Sequence, residues 1–135
     1  MTVDAIMSRD VVTVTPDTAL MEIRSLLHER GFRHLLVVEP DETLCGVISD
    51  RDVLRALSPF LDTYSEEHRD VKTLGQPASE IMRAEPLTVG PDTAIEDAAR
   101  LLLDNNISAL PVVEGAALVG IVTTKDLLQH YTDEG

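Results

Sequence analysis

The chain has no tryptophan, and aromatic residues make up only 3% of it, so any core it builds is aliphatic. It has a single cysteine, Cys45, which excludes an internal disulfide and makes a reduced cytosol the simplest home. Cys45 has no paired base, so it reads as a packing residue and not as a nucleophile. Basic residues are scarce: 11 against 24 acids, a formal net charge of −13. Such a surface repels phosphate backbones and anionic membranes, so nucleic-acid binding is not expected, although a locally basic cleft can still take a small anion. No apolar run is long enough to cross a bilayer. The opening residues carry an acid early and lack the apolar stretch of a secretory signal. A cytoplasmic protein without membrane insertion is therefore expected.

Catalytic signatures are missing as well. The sequence has no glycine-rich phosphate loop, no nucleophile paired with a base and no metal-ligand spacing. His28, His34, His68 and His130 are scattered. His28 and His130 read as helix-surface residues. His34 is the one weighed as functional, because imidazole is the side chain that changes charge near neutral pH. No enzyme activity, catalytic residue or metal site is expected.

What is present is a repeat. Gly46-Val47-Ile48-Ser49-Asp50-Arg51-Asp52-Val53-Leu54 returns as Gly120-Ile121-Val122-Thr123-Thr124-Lys125-Asp126-Leu127-Leu128. Each copy reads as a buried strand that turns into a helix. A hydroxyl and a carboxylate at such a turn, beside free backbone N–H groups, can hold a polar ligand. Ser49 with Asp52, and Thr123 with Asp126, also fit a capping box in which Asp replaces the usual Glu, and the spacing taken alone favours that reading.

The repeat extends far beyond this turn. Ile6 and Ile81, Pro16 and Pro91, and Gly31 and Asn106 each stand 75 positions apart. In copy one, a hook at Ala5-Ile6-Met7 precedes a strand at Val11-Val12-Thr13-Val14 and a Pro16-Asp17-Thr18-Ala19 turn. Thr18 is the expected N-cap of a helix whose stripe is Leu20, Ile23, Leu26 and Leu27, stopped by Gly31. Leu35 to Val38 and Leu44 to Ser49 are the next strands, joined by a turn at Pro40-Asp41-Glu42. In copy two the hook is Ser79-Glu80-Ile81-Met82 and the strand Pro86-Leu87-Thr88-Val89. Thr93 with Glu96 forms a fuller capping box, the stripe is Ile95, Ala98, Ala99 and Leu102, and Asn106 is the stop. Pro111-Val112-Val113 repeats the buried strand. Residues 1–57 and 78–135 are thus two repeats. Residues 58–77 are a partly helical connector in which Phe60, Leu61 and Tyr64 could pack as one helical turn. Each repeat is too small to bury its apolar face alone, which predicts a shared core.

Both copies resemble the cystathionine-β-synthase (CBS) domain, and the chain is similar to a stand-alone tandem pair, or Bateman module. The resemblance rests on the hooks, the Pro-Asp-Thr-Ala turns, Phe32-Arg33-His34-Leu35-Leu36-Val37-Val38 with Ile107-Ser108-Ala109-Leu110-Pro111-Val112-Val113, and the two closing motifs. It implies an α+β fold of two β-α-β-β-α repeats related by pseudo-two-fold symmetry and packed through their sheets into one module. It also implies a regulatory module that binds AMP, ADP, ATP, S-adenosylmethionine or a cyclic dinucleotide in clefts between the repeats and passes a shape change to an unknown partner protein. No cofactor is required. Carried over by position, Asp52 and Asp126 hold ribose, with Ser49 and Thr123 beside them, while Arg51 and Lys125 face phosphate. Arg33 and His34, and Ser108 and Ala109, line the clefts at the start of the second strand. The hook of each copy completes the other's site, so Ser79 joins Ser49 and Asp52, and Asp4 joins Thr123 and Asp126. Asp4 would repel phosphate unless a metal such as Mg2+ bridged the two. The apolar helices and the family's habit imply a homodimer. The alternative is a structural scaffold with vestigial, empty clefts.

Overall fold

In the computed structural model the chain is a mixed α+β protein that uses the same run of strands and helices twice. The structure describes residues 1–31, 33–57, 63, 66–67 and 71–134. The expected helical turn at Phe60, Leu61 and Tyr64 and most of the charged stretch from Ser65 to Asp70 lie outside the described residues, as does Phe32. The first run is β1 (Thr13–Val14), α1 (Leu20–Arg30), β2 (His34–Val38), β3 (Leu44–Ser49) and α2 (Asp50–Ala56). A short helix α3 (Ala78–Ile81) and strand β4 (Arg83–Ala84) follow, then α4 (Ile95–Asn105), β5 (Ala109–Glu114), β6 (Ala117–Thr123) and α5 (Thr124–Glu134). Single 3-10 turns cover Val3–Ala5 and Thr73–Gly75.

Two compact units form, and their boundaries cut across the sequence repeats. One unit is Val12–Glu85; the other joins Met1–Val11 to Pro86–Gly135. Each hook therefore packs with the opposite repeat. In the first unit β1 runs parallel to β2, and β2, β3 and β4 follow as antiparallel neighbours. Its core is Val14, Leu20, Ile23, Leu35, Val37, Ile48 and Val53, completed by Ala78 of α3. In the second unit β5 and β6 pair antiparallel, and the core of Val89, Ile95, Ala98, Leu102, Leu110, Val112, Val122 and Leu127 is completed by Val3 of the hook. Val3 is fully buried, a contribution of roughly 1.5–3 kcal/mol for a valine taken out of water.

The helix stops fall where the sequence places them. Gly31 (φ 68°) and Asn106 (φ 53°) end α1 and α4 in the left-handed conformation that these two residue types tolerate. Three local expectations are corrected. Thr18 and Thr93 are not N-caps; Ala19 and Ala94 are, with no side-chain cap bond. The threonine hydroxyls instead accept from Thr15 N and Gly90 N, each at 3.1 Å, and close the turn in front of the helix. The helix-end donors find backbone partners from the hook side: Leu20 N donates to Gln76 O (2.8 Å) and Ile95 N to Met1 O (3.2 Å). That tertiary supply of acceptors makes a side-chain cap unnecessary. Glu96 therefore closes no capping box with Thr93. Finally, the strand expected at Pro86 to Val89 reduces to one parallel bridge, Val89 to Val112, held by Val89 N to Pro111 O and Val113 N to Val89 O.

The repeated glycines have a packing purpose that their strand positions alone do not reveal. A β-carbon on Gly46 would collide with the Met82 thioether, and one on Gly120 would lie 2.7 Å from the Ser8 carbonyl oxygen and 2.9 Å from the Met7 sulfur. Each closing strand leaves out a side chain so that the hook methionine of the opposite repeat can lie across it.

Candidate functional site

Both closing turns adopt the same geometry. Ser49 sits in extended conformation at the N-cap of α2, and its Oγ accepts from Asp52 N (3.2 Å). Asp52 Oδ2 accepts from Ser49 N (2.8 Å) and from the Ser49 hydroxyl (3.0 Å). In the other unit Asp126 Oδ2 accepts from Thr123 N (2.8 Å) and the Thr123 hydroxyl (3.0 Å), while Asp126 N reaches Thr123 Oγ1 at 3.4 Å. The capping boxes are therefore real. They also concentrate on one carboxylate oxygen. Among the described residues, the second oxygen of Asp52 is approached at a long 3.8 Å by Arg55, whose side chain is 74% exposed. A carboxylate can cap with one oxygen and accept from a ligand with the other.

The strand starts are tied to these turns in the same way in both units. Arg33 O accepts from Asp50 N and Ser108 O from Thr124 N, both at 2.9 Å. His34 is the register partner of Ser49, and Ala109 that of Thr123. Arg33, Arg51, Ser108 and Lys125 are exposed, whereas Ala109 is buried and offers no polar group. The hooks arrive with matching bonds: Ser79 N donates to Pro16 O (2.9 Å) and Asp4 N to Pro91 O (3.1 Å). Thr2 also donates its hydroxyl to Asp4 Oδ1. The structure thus puts Ser79 in the unit of Ser49 and Asp52, and Asp4 in the unit of Thr123 and Asp126.

Electrostatics separate the two turns further. Burial pushes the His34 imidazole below its ordinary value; Asp50 and Asp52 oppose that, and Arg33 adds to it. The second unit has no ionisable group at the matching position, Ala109. It carries instead a pocket of about 380 Å3 bounded by the hook residues Met1, Ala5 and Ile6 and by Asp126, Gln129, His130 and Asp133 along α5. The sequence reading placed His130 on a helix surface; the structure makes it half-buried and part of this wall. Its spacing from Asp126, four residues along a helix, was the available signal. Cys45 donates its thiol to Val37 O at 3.3 Å, and burial raises its pKa, as suits a packing residue. Among the described residues no three His, Cys, Asp or Glu side chains are grouped to hold a metal, and no helix is long and apolar enough to cross a membrane.

Residues 3–59 and 78–133 each match the CBS domain family model. The chain belongs to the CBS domain family. Among solved structures, this CBS pair is similar to CBSX2 of Arabidopsis thaliana, determined in complex with AMP, at 32% identity and a TM-score of 0.80 over 98% of this chain and 97% of that one. It is also similar to the CBS domain pair of protein MJ0100, determined with 5′-methylthioadenosine and S-adenosyl-L-methionine, at 25% identity and a TM-score of 0.80 over 97% of this chain and 99% of that one. Among curated relatives, an uncharacterised Methanocaldococcus jannaschii protein is 31% identical over 134 residues, and the chain spans 32% of its length.

Proposed function

We propose that this CBS pair is a non-catalytic regulatory module that binds an adenosine-containing ligand (AMP, ADP, ATP or S-adenosylmethionine) at its two closing turns and transmits the change to a partner protein. The observation that carries this reading is the division of labour within each carboxylate. Oδ2 alone completes the helix cap, which leaves an oxygen for the hydroxyls of a ribose. The AMP complex of CBSX2 and the methylthioadenosine and S-adenosylmethionine complex of MJ0100 support adenosine as the shared chemistry. Arg33 and Arg51 suit phosphate at the first turn, and helix N–H donors add to them. Asp4 suits a less charged ligand at the second, or one accompanied by Mg2+. The cytoplasm is the proposed location.

A thermal-shift panel of AMP, ADP, ATP and S-adenosylmethionine on nucleotide-free protein tests the reading. A ligand at 100 times its Kd adds about 2.7 kcal/mol to native stability, a rise on the order of 8 °C in midpoint for a chain of this size. A flat response across the panel would favour the scaffold reading, in which the carboxylates serve only as caps.

We further propose that the module works as a homodimer. Met21 and Leu54 on α1 and α2 are 59% and 71% exposed, and Leu103, Leu128 and Tyr131 on α4 and α5 are 81%, 64% and 48% exposed. Apolar side chains in such numbers mark association surfaces. Sedimentation is expected to give twice the chain mass at micromolar concentration; a monomer there would refute the dimer.

A further inference from the structure

The two closing turns share their backbone bonds and differ in the side chain opposite the cap. That side chain is His34 against Ser49 in one unit and Ala109 against Thr123 in the other. Directly opposed residues of an antiparallel pair project to the same face of the sheet. The His34 imidazole therefore stands on the face of the Ser49 hydroxyl, at the end of the sheet where Asp52 caps α2. Charges that act on it come from three of the described residues. Asp50 and Asp52 come from α2, with Arg51 between them in the same turn, and Arg33 comes from the residue before β2. Ser49 opposite on β3 is uncharged, and the β1 residues paired to β2, Thr13 and Val14, carry no charge.

We propose that His34 is the specificity-determining residue of the Ser49/Asp52 turn: it takes up a proton when an anionic group of the ligand seats there, so this turn selects anionic adenosine ligands, and more strongly as pH falls. The inference rests on the proposed ligand-binding function. In the free protein, burial and Arg33 outweigh the two carboxylates and hold the His34 imidazole below its ordinary value, which favours the neutral form. A phosphate near Arg33 offsets the cation that opposes the imidazolium and supplies an anion that favours it. Because His34 then has a higher pKa in the complex than in the free protein, affinity is greatest below the free value and falls as pH rises towards the bound value. One coupled proton corresponds to at most about tenfold in affinity per pH unit. Ala109 gives the second turn no such dependence.

The test is calorimetry of AMP binding between pH 5.5 and 8 in paired buffers of different ionisation enthalpy, for the wild type and His34→Gln, with folding checked by circular dichroism. The AMP phosphate titrates in the same range, so the quantity read is the difference between the two proteins. Wild type is expected to take up more protons than His34→Gln and to lose its affinity advantage by pH 8. Adenosine, which has no anion, is expected to bind both proteins with the same pH profile. His34→Arg, with a fixed charge, should retain AMP binding while losing the wild-type excess of proton uptake. Equal proton uptake by wild type and His34→Gln, with AMP bound by both, would overturn the inference and leave ligand binding intact. Wild type that binds adenosine but not AMP would overturn this inference; no binding of AMP, ADP, ATP, S-adenosylmethionine or adenosine at any pH would overturn the ligand-binding function itself, and this inference with it.

Discussion

Asp52→Ala is expected to weaken AMP binding tenfold or more and to abolish the tighter of two binding phases, whereas Asp126→Ala leaves that phase in place. The asymmetry follows from the neighbours. Arg33, His34 and Arg51 belong to the first turn, so two fixed cations and one titratable group stand near the expected phosphate. The second turn has Lys125, but a neutral Ser108 and a buried Ala109 occupy its strand start, and Asp4 arrives with the hook. Each additional charge-assisted hydrogen bond contributes on the order of 1 kcal/mol or more, and about 1.4 kcal/mol is a factor of ten in affinity. Because both carboxylates also close capping boxes, each alanine substitution costs about 1 kcal/mol of stability independently of any ligand. Calorimetry is therefore paired with denaturant unfolding, and Asp52→Asn, which retains an acceptor for Ser49 N, separates the cap from the charge. If Asp126→Ala removes the tight phase instead, the assignment of the two turns is reversed. If neither substitution changes binding, the carboxylates are caps and nothing more.

Gly120→Ala is expected to destabilise the protein by about 1–3 kcal/mol, the range for forcing a methyl group into filled space. Gly46→Ala should cost less. The new methyl group at position 120 would meet the Ser8 carbonyl oxygen at 2.7 Å, and that oxygen accepts from Ile121 N at 2.9 Å, while Ser8 N donates to Ile121 O at 2.8 Å. Relief therefore requires the hook backbone to leave the strand. At position 46 the nearest atoms all belong to the Met82 side chain, which can rotate away. Unfolding midpoints in urea measure the difference. A Gly120→Ala protein as stable as wild type, or one more stable than Gly46→Ala, would show that the hook does not need this close approach.

The sequence by itself determined every feature whose cause lies within a few residues. The stops at Gly31 and Asn106 follow from the two side chains that tolerate positive φ. The Ser49/Asp52 and Thr123/Asp126 boxes follow from a spacing of three. The uninterrupted apolar run at Leu35 to Val38 reads as buried; Leu35 to Val37 are buried, and Val38 at the end of the strand is half-buried. The CBS resemblance implied that each hook joins the opposite repeat's site; the fold packs each hook in the unit of the opposite repeat and supplies the backbone bonds that hold it in that unit. The tertiary structure also decided whatever depends on a partner far along the chain. Thr18 and Thr93 carry the local signature of an N-cap, yet backbone carbonyls of Gln76 and Met1 satisfy the helix donors they were expected to engage. Val3 stands between Thr2 and Asp4 with no periodicity to mark it, yet it completes a core whose other buried members begin at Val89. Gly46 and Gly120 look like ordinary strand residues until the methionine lying across each of them is seen. Capping and turn preferences act over one helical turn of chain. Hydrogen-bond supply and close packing are settled by whichever backbone the fold brings alongside, and that is where local pattern and tertiary structure part.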